Sequence, residues 1–211
     1  MRSNAMLKHI FLCINIILLS FYILTSFAYT TEENVRENYY KAGKCLGDYY
    51  LTNDDAYLEK GLLLINKAIE DDDAFLLSYY LKAEILGKLK KYREGILVLT
   101  DVLNKKANED SIHIAMLFQM RGLLNQKINN MEEAFENYNK ALNIYKSKLK
   151  IQSENKILIA NIAQILILSN KREESELFID NLIKKNPGKN WIIDLKKDLK
   201  TFSSDYYLEK F

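Results

Sequence analysis

The sequence predicts an all-α protein built as a stack of about four helix–turn–helix units with a C-terminal capping helix. Three observations carry this. The 211 residues include only one Pro and seven Gly, too little punctuation for the many hairpin turns of an all-β fold. Apolar residues recur three and four apart almost throughout, the spacing of a helix face. Small residues also return at nearly fixed distances, as internal repeats require.

The opening segment stands outside that pattern. Arg2, Lys8 and His9 precede an uncharged run from Ile10 to Leu24, and Ser26-Phe27-Ala28 supplies the small-x-small exit that signal peptidase needs. Residues 1–28 thus read as a secretory signal peptide. A retained membrane anchor is the alternative, since the apolar stretch to Phe27 is about 18 residues, near the spanning minimum. A buried helix is a third reading. Under either of the first two, the positive flank stays inside and the rest crosses the membrane. Phe11-Leu12 before Cys13 lacks the small residue of a lipid-attachment site. Ser3-Asn4-Ala5 ahead of Met6 has the look of a cleaved-tag remnant, which would make Met6 the true start; a start at Met1 reads much the same.

Removing that segment changes the charge. The whole chain carries 30 basic and 28 acidic residues, a net +2. Both Arg2 and Lys8 lie in residues 1–28, which hold no acid, so the remainder is neutral. A neutral domain has little electrostatic support for nucleic-acid binding. One Cys and one His remain, Cys45 and His113, so no internal disulfide can close.

From residue 29 to 211 the chain reads as one helical repeat domain, with units at about 36–73, 74–109, 110–150 and 154–188 and a cap at 189–202. Each unit is anchored on a small residue near the start of its second helix: Gly61, Gly95, Ala134 and Ser175, separated by 34, 39 and 41 residues. Four residues on come Ile65, Leu99, Tyr138 and Ile179, and three further Ala68, Val102, Ala141 and Leu182. Twelve residues before the anchor lies another small residue in three units: Ala83, Gly122 and Ala163. Small residues at both places let two antiparallel helices approach closely.

Individual elements follow. Lys88-Leu89-Lys90-Lys91 is a polar corner, with a helix opening at Tyr92. In the third unit Asn130 stands where a helix cap belongs, and Glu132 and Glu133 fill the first turn, where the dipole favours acids. Asn53-Asp54-Asp55 adds about two residues to the first unit, and Tyr145 to Lys148 lengthens the third. After Asn190, Trp191, Ile192, Leu195 and Leu199 share one side of a final helix, opposite Lys196, Lys197, Asp198 and Lys200. A stack of this kind needs such an end cap to cover its last apolar face.

Leu46-Gly47 with Tyr50, Ala134-x3-Tyr138 with Ala141-Leu142, Phe118 opening a first helix, and Pro187 ending the fourth unit together make the chain resemble the tetratricopeptide repeat family. The resemblance covers about 155 residues, from Asn34 to Pro187. It implies a right-handed superhelical stack whose first helices line a concave groove holding a peptide or partner segment. Carried over by frame, the groove residues are Lys44 and Asp48, then Tyr80, Glu84 and Lys88, then Gln119, Leu123, Gln126 and Lys127, then Ala160, Gln164 and Ile167. Asp48, Leu81 and Met120 stand where relatives that clamp a C-terminal carboxylate carry Asn or a basic residue, which disfavours cytosolic chaperone docking.

No catalytic constellation, cofactor motif or metal set is expected. Cys45 and His113 could pair as nucleophile and base only if the fold brought the first and third units together. Asp71-Asp72-Asp73 lacks the Gly and bidentate Glu of a calcium loop. Lys88, Lys90, Lys91 and Arg93 form the densest basic cluster, flanked by Glu84 and Glu94. Tyr is abundant, 14 residues, and doubled at Tyr39-Tyr40, Tyr49-Tyr50, Tyr79-Tyr80 and Tyr206-Tyr207, so one of each pair can pack inside while its neighbour faces out.

The leading expectation is an exported, periplasmic, non-catalytic adaptor that binds a protein or peptide. The alternatives are an immunity protein that neutralises a toxin delivered to the cell envelope and, remotely, a Cys45-dependent hydrolase.

Overall fold

A computed structural model describes residues 36–106, 109 and 111–202. The signal or anchor segment and the tail after Phe202 lie outside the described residues. The described chain is all-α, with nine helices and no strand. They are α1 (Glu37–Thr52), α2 (Asp55–Asp71), α3 (Leu76–Lys88), α4 (Tyr92–Lys105), α5 (Ile112–Lys127), α6 (Met131–Ile151), α7 (Lys156–Leu168), α8 (Arg172–Lys185) and α9 (Asn190–Thr201). Each packs on the helix before it, and α1 with α3, α3 with α5, and α7 with α9 also touch. Connections of a few residues make consecutive helices antiparallel neighbours.

Two kinds of corner alternate. Between α3 and α4, α5 and α6, and α7 and α8, a left-handed residue ends the helix: Lys90, Asn129 and Asn170, each with φ of 60° or 61°. The next residue's N–H reaches back five positions, Lys91 to the Leu86 carbonyl, Asn130 to Asn125 and Lys171 to Leu166, at 2.8–2.9 Å. Each left-handed residue donates to the carbonyl three before it. This is the Schellman pattern, which satisfies the terminal carbonyls of a helix in one tight turn. The other corners are closed by side chains. Asp72 Oδ1 accepts from the Ala74 N–H, Ser111 Oγ from Ile114, and Asn155 Oδ1 from Ile157 and Leu158. Asn130 stands at the cap position just before α6, but its side chain does not cap the helix. Its Nδ2 donates to Asn125 Oδ1 instead.

The small residues mark helix crossings. A Cβ built on Gly122 would lie 2.6 Å from the Tyr138 ring and 3.1 Å from the Ala134 carbonyl; one on Gly95 would meet Leu124 Cδ1 at 2.7 Å and the Ala83 carbonyl at 3.5 Å. At the α7–α8 crossing, Ser175 and Ala163 are joined by a hydrogen bond. All three crossings pair residues twelve apart in sequence.

The first pair differs. Gly61 faces the Ala42 carbonyl at 3.5 Å, nineteen residues back, with Cys45 Cβ 3.4 Å away. A Cβ on Gly47 would meet nothing within 4 Å. The close approach therefore falls at Ala42, and Leu46-Gly47 is not the crossing motif. The insertion is also larger than the two residues expected: about one extra turn on each arm separates the α1–α2 crossing from its corner. That corner has Asn53 at φ 59° but lacks the five-residue back-bond, using Asn53 N–H to the Tyr49 carbonyl and Asp54 Oδ1 as cap of α2.

The core lies between successive helices. Leu76, Ala83, Leu99, Val102, Leu117 and Leu124 fill the space among α3, α4 and α5. Tyr138, Tyr145, Leu158, Ile162 and Leu166 fill that among α5, α6 and α7. Ile192 of α9 is buried on Ile159, Ala163 and Ile179, with Trp191, Leu195 and Leu199 around it. Arg172 ties α9 down by donating to the carbonyls of Leu199, at 3.1 Å, and Phe202, and Lys196 pairs with Asp180. Lys196 is thus half-buried against α8 rather than standing opposite the packed side. Pro187 follows the end of α8 at Lys185, where its missing N–H stops a helix.

Candidate functional site

The side chains of α1, α3, α5 and α7 include a row of polar residues hydrogen-bonded in separate groups, one between α1 and α3 and the others among α5, α6 and α7. At its start, the Tyr50 hydroxyl of α1 donates to Glu84 Oε1 of α3 at 3.0 Å, and Lys88 Nζ stands 4.8 Å from the Tyr50 ring centre. Burial raises the Glu84 carboxyl above its usual range, partly offset by Lys88 and by the tyrosine bond. Further along, Tyr145 of α6 donates to Gln119 Oε1 at 3.1 Å, and Gln119 Nε2 donates to Gln164 Oε1 of α7 at 3.2 Å. Tyr138 donates to Gln126 Oε1 at 2.7 Å. Both tyrosines are fully buried, so their hydroxyls need partners, and the two glutamines supply them. Burial pushes the Tyr145 hydroxyl far above its ordinary value, so it stays protonated and donates. Lys127 Nζ lies 5.4 Å from the Tyr92 ring centre.

Not every residue expected on this face is available. Leu123 is 3% exposed and packs with Leu76 and Leu117 in the core, because α5 turns that position toward α3. Ile167 is likewise buried, and Glu84 lies beneath Tyr50 with 9% of its surface open. Lys44 is exposed and Asp48 half-buried on α1. Tyr80, Ala160, Gln119, Gln126, Lys127 and Gln164 are half-buried. The residues missed from the sequence are Tyr50, Tyr138 and Tyr145. Repeat spacing does not signal the first pair: Tyr50 lies eight residues past the crossing residue Ala42, and Glu84 one residue past Ala83.

A second polar cluster was also missed. Arg121 Nε donates to Asn137 Oδ1 at 2.7 Å and its NH1 nitrogen to Thr100 Oγ1 at 3.3 Å, joining α4, α5 and α6. Asn137 Nδ2 in turn holds the Glu133 carbonyl. This bracket leaves the helices fixed around the α5–α6 crossing.

The nucleophile and metal candidates have structural partners. Cys45 is 5% exposed at the α1–α2 crossing, and His113 is exposed at the start of α5, its imidazole pushed toward the neutral form by partial desolvation and the Arg36 charge. Asp71 accepts from Asn38 Nδ2 and Asp72 pairs with Arg36. Of the doubled tyrosines, Tyr39 is buried edge-on to Phe75 while Tyr40 is half-buried, but both members of Tyr49-Tyr50 and Tyr79-Tyr80 are half-buried. Among the described residues no helix is long and apolar enough to cross a membrane.

On the opposite side of the even-numbered helices, Leu63, Leu97 and Leu177 are 73%, 63% and 61% exposed, each two residues past its crossing residue. Glu136 takes that place in α6.

No protein-family model matches the chain, and no curated protein matches it.

Proposed function

We propose that the chain is an exported, non-catalytic binding module, a tetratricopeptide-like right-handed stack that holds a peptide or protein partner along the face of α1, α3, α5 and α7. The observation that carries this reading is the set of separate hydrogen-bonded groups on these helices, Tyr50 with Glu84, Gln119 with Gln164, and Gln126 with Tyr138. Its side chains are fixed in place before any partner arrives, which lowers the ordering cost of binding. Recurrence of the twelve-residue crossing and of the Schellman corner supports the repeat stack. Burial of Cys45 supports the absence of nucleophilic chemistry. The leader-like composition of residues 1–28 supports export to the periplasm, with membrane attachment only through an uncleaved leader. Nucleic acid is not the partner, given a neutral domain.

The test has two parts. Expressed in a bacterium with its own leader, the protein should lose about 23 to 28 residues, as signal-peptide architecture implies, and fractionate outside the cytoplasm. Affinity capture from the envelope fraction should then recover a partner whose retention is lost on substituting Tyr80, Gln126 and Gln164. Full-length protein in the cytosol would refute export. Unchanged retention by the variants would refute the assigned face.

A further inference from the structure

α9 is clasped to the stack more than it is buried in it. It lies against α7 and α8, yet of its twelve residues only Ile192 is buried, whereas α7 buries eight of thirteen. Trp191, Leu195 and Leu199 pack beside Ile192 but stay partly open. A cleft remains, lined by Ile167, Ser175 and Ile179 of the stack and by Lys196, Leu199 and Lys200 of α9.

What fastens α9 is largely polar. Arg172, in the first turn of α8, donates to the carbonyls of Leu199 and Phe202, so the end of α9 receives a cation where the helix dipole favours one. Lys196 pairs with Asp180 of α8, and Lys156 of α7 stands 5.3 Å from the Trp191 ring centre. The connection from α8 runs through Pro187 and Gly188, both exposed, and a Cβ on Gly188 would meet nothing within 4 Å. A helix with few buried apolar contacts opens at lower cost than the core helices do.

From this arrangement we propose that α9 is an exchangeable cap. It swings out about Pro187-Gly188 while α1 to α8 stay folded, and α9 of a second copy takes its place. The occupant follows from what the bared face presents. Ile159, Ala163 and Ile179 require an apolar helix face, Arg172 requires the terminal carbonyls of a helix, and Asp180 requires a cation one turn past the central apolar residue. α9 meets all three requirements, and every copy carries one. Exchange between copies keeps each of these contacts and changes only the path of the connection, which makes swapping a low-cost route to a dimer.

The test uses protein from cells expressing the full chain, prepared with ordinary and with heavy nitrogen and mixed in equal amounts. A carbodiimide joins Lys196 to Asp180 where the two touch. After incubation at high concentration, crosslinked peptides with one light and one heavy half should approach half of the total, the value for random pairing. A dimer should appear on size exclusion in step with them, and both should fall away on dilution. Amides of α9 should exchange with solvent hydrogen about 100-fold or more faster than those of α7. Arg172→Ala should speed the appearance of mixed crosslinks about ten-fold or more, the scale of lost charge-assisted hydrogen bonds, with the helical circular dichroism unchanged. Crosslinks that stay within one isotope at every concentration would overturn the proposal, even where α9 amides exchange fast. So would α9 amides that exchange no faster than those of α7, or equal crosslinking rates for Arg172→Ala and the wild type. If Arg172→Ala does not fold, the two wild-type readouts decide the matter.

Discussion

The Ser175 hydroxyl donates to the Ala163 carbonyl oxygen at 2.9 Å across the α7–α8 crossing. The same sequence separation of twelve joins Gly122 to Ala134 and Ala83 to Gly95, where the contact is van der Waals. One spacing thus serves two kinds of small residue: Gly and Ala by absence of bulk, Ser by adding a bond that a buried hydroxyl needs. Ser175→Ala should cost about 1 kcal/mol, the net worth of one such hydrogen bond. Denaturant unfolding with an unchanged slope would measure it.

Glycines at crossings and elsewhere should respond with opposite sign. Gly122→Ala drives a methyl into the buried Tyr138 ring at 2.6 Å and should destabilise by about 1–3 kcal/mol, the usual cost of overpacking. Gly47→Ala meets open space inside α1 and should stabilise by about 0.5–1 kcal/mol, because alanine loses less backbone entropy in a helix. Thermal melts of the two variants should bracket the wild type. Ala134→Trp, which places a ring at the same crossing as Gly122, should loosen the α5–α6 pair further still.

Lys90 holds the left-handed corner position that Asn occupies at Asn129 and Asn170. A lysine there carries a steric penalty that glycine avoids. Lys90→Gly should therefore stabilise by about 0.5–1 kcal/mol, whereas Asn129→Gly should change little. Equal effects at the two corners would contradict this.

Glu84 gives a pH dependence. Its folded-state carboxyl is raised by burial above the ordinary value of 4.5, despite help from Lys88 and Tyr50. The folded state then holds the proton more tightly than the unfolded chain. The ionised form costs stability, and that cost is absent below pH 4.5 and grows as pH rises through the raised value. Glu84→Gln keeps an acceptor for Tyr50 and removes the charge. The melting temperature of Glu84→Gln minus that of the wild type should increase from pH 4 to pH 7. A difference that does not change with pH would mean that Glu84 is solvated in the folded protein.

Much of the helical order was legible in the sequence because it depends on local spacing. The crossing residues Gly95, Ala134 and Ser175 were marked by size and distance alone, and Pro187 by its missing donor. The first unit was misread because Leu46-Gly47-Tyr50 matches a motif by residue type, while the crossing is set by where two longer helices meet, at Ala42 and Gly61. On the proposed binding face, Leu123 was placed by frame, yet α5 turns it into the core. The tyrosine–glutamine pairs could not be read at all from periodicity, which ranks Tyr138 and Tyr145 as filler. Their hydroxyls require partners only once burial is known.

The central claim is that the partner lies along α1, α3, α5 and α7. The most direct measurement places a photo-crosslinking amino acid singly at Gln126, Gln164, Leu63 or Leu97 in the protein expressed in its own cell envelope. Crosslinks to a common protein band from Gln126 and Gln164, with none from Leu63 and Leu97, are the predicted result. Crosslinks confined to Leu63 and Leu97 would contradict it.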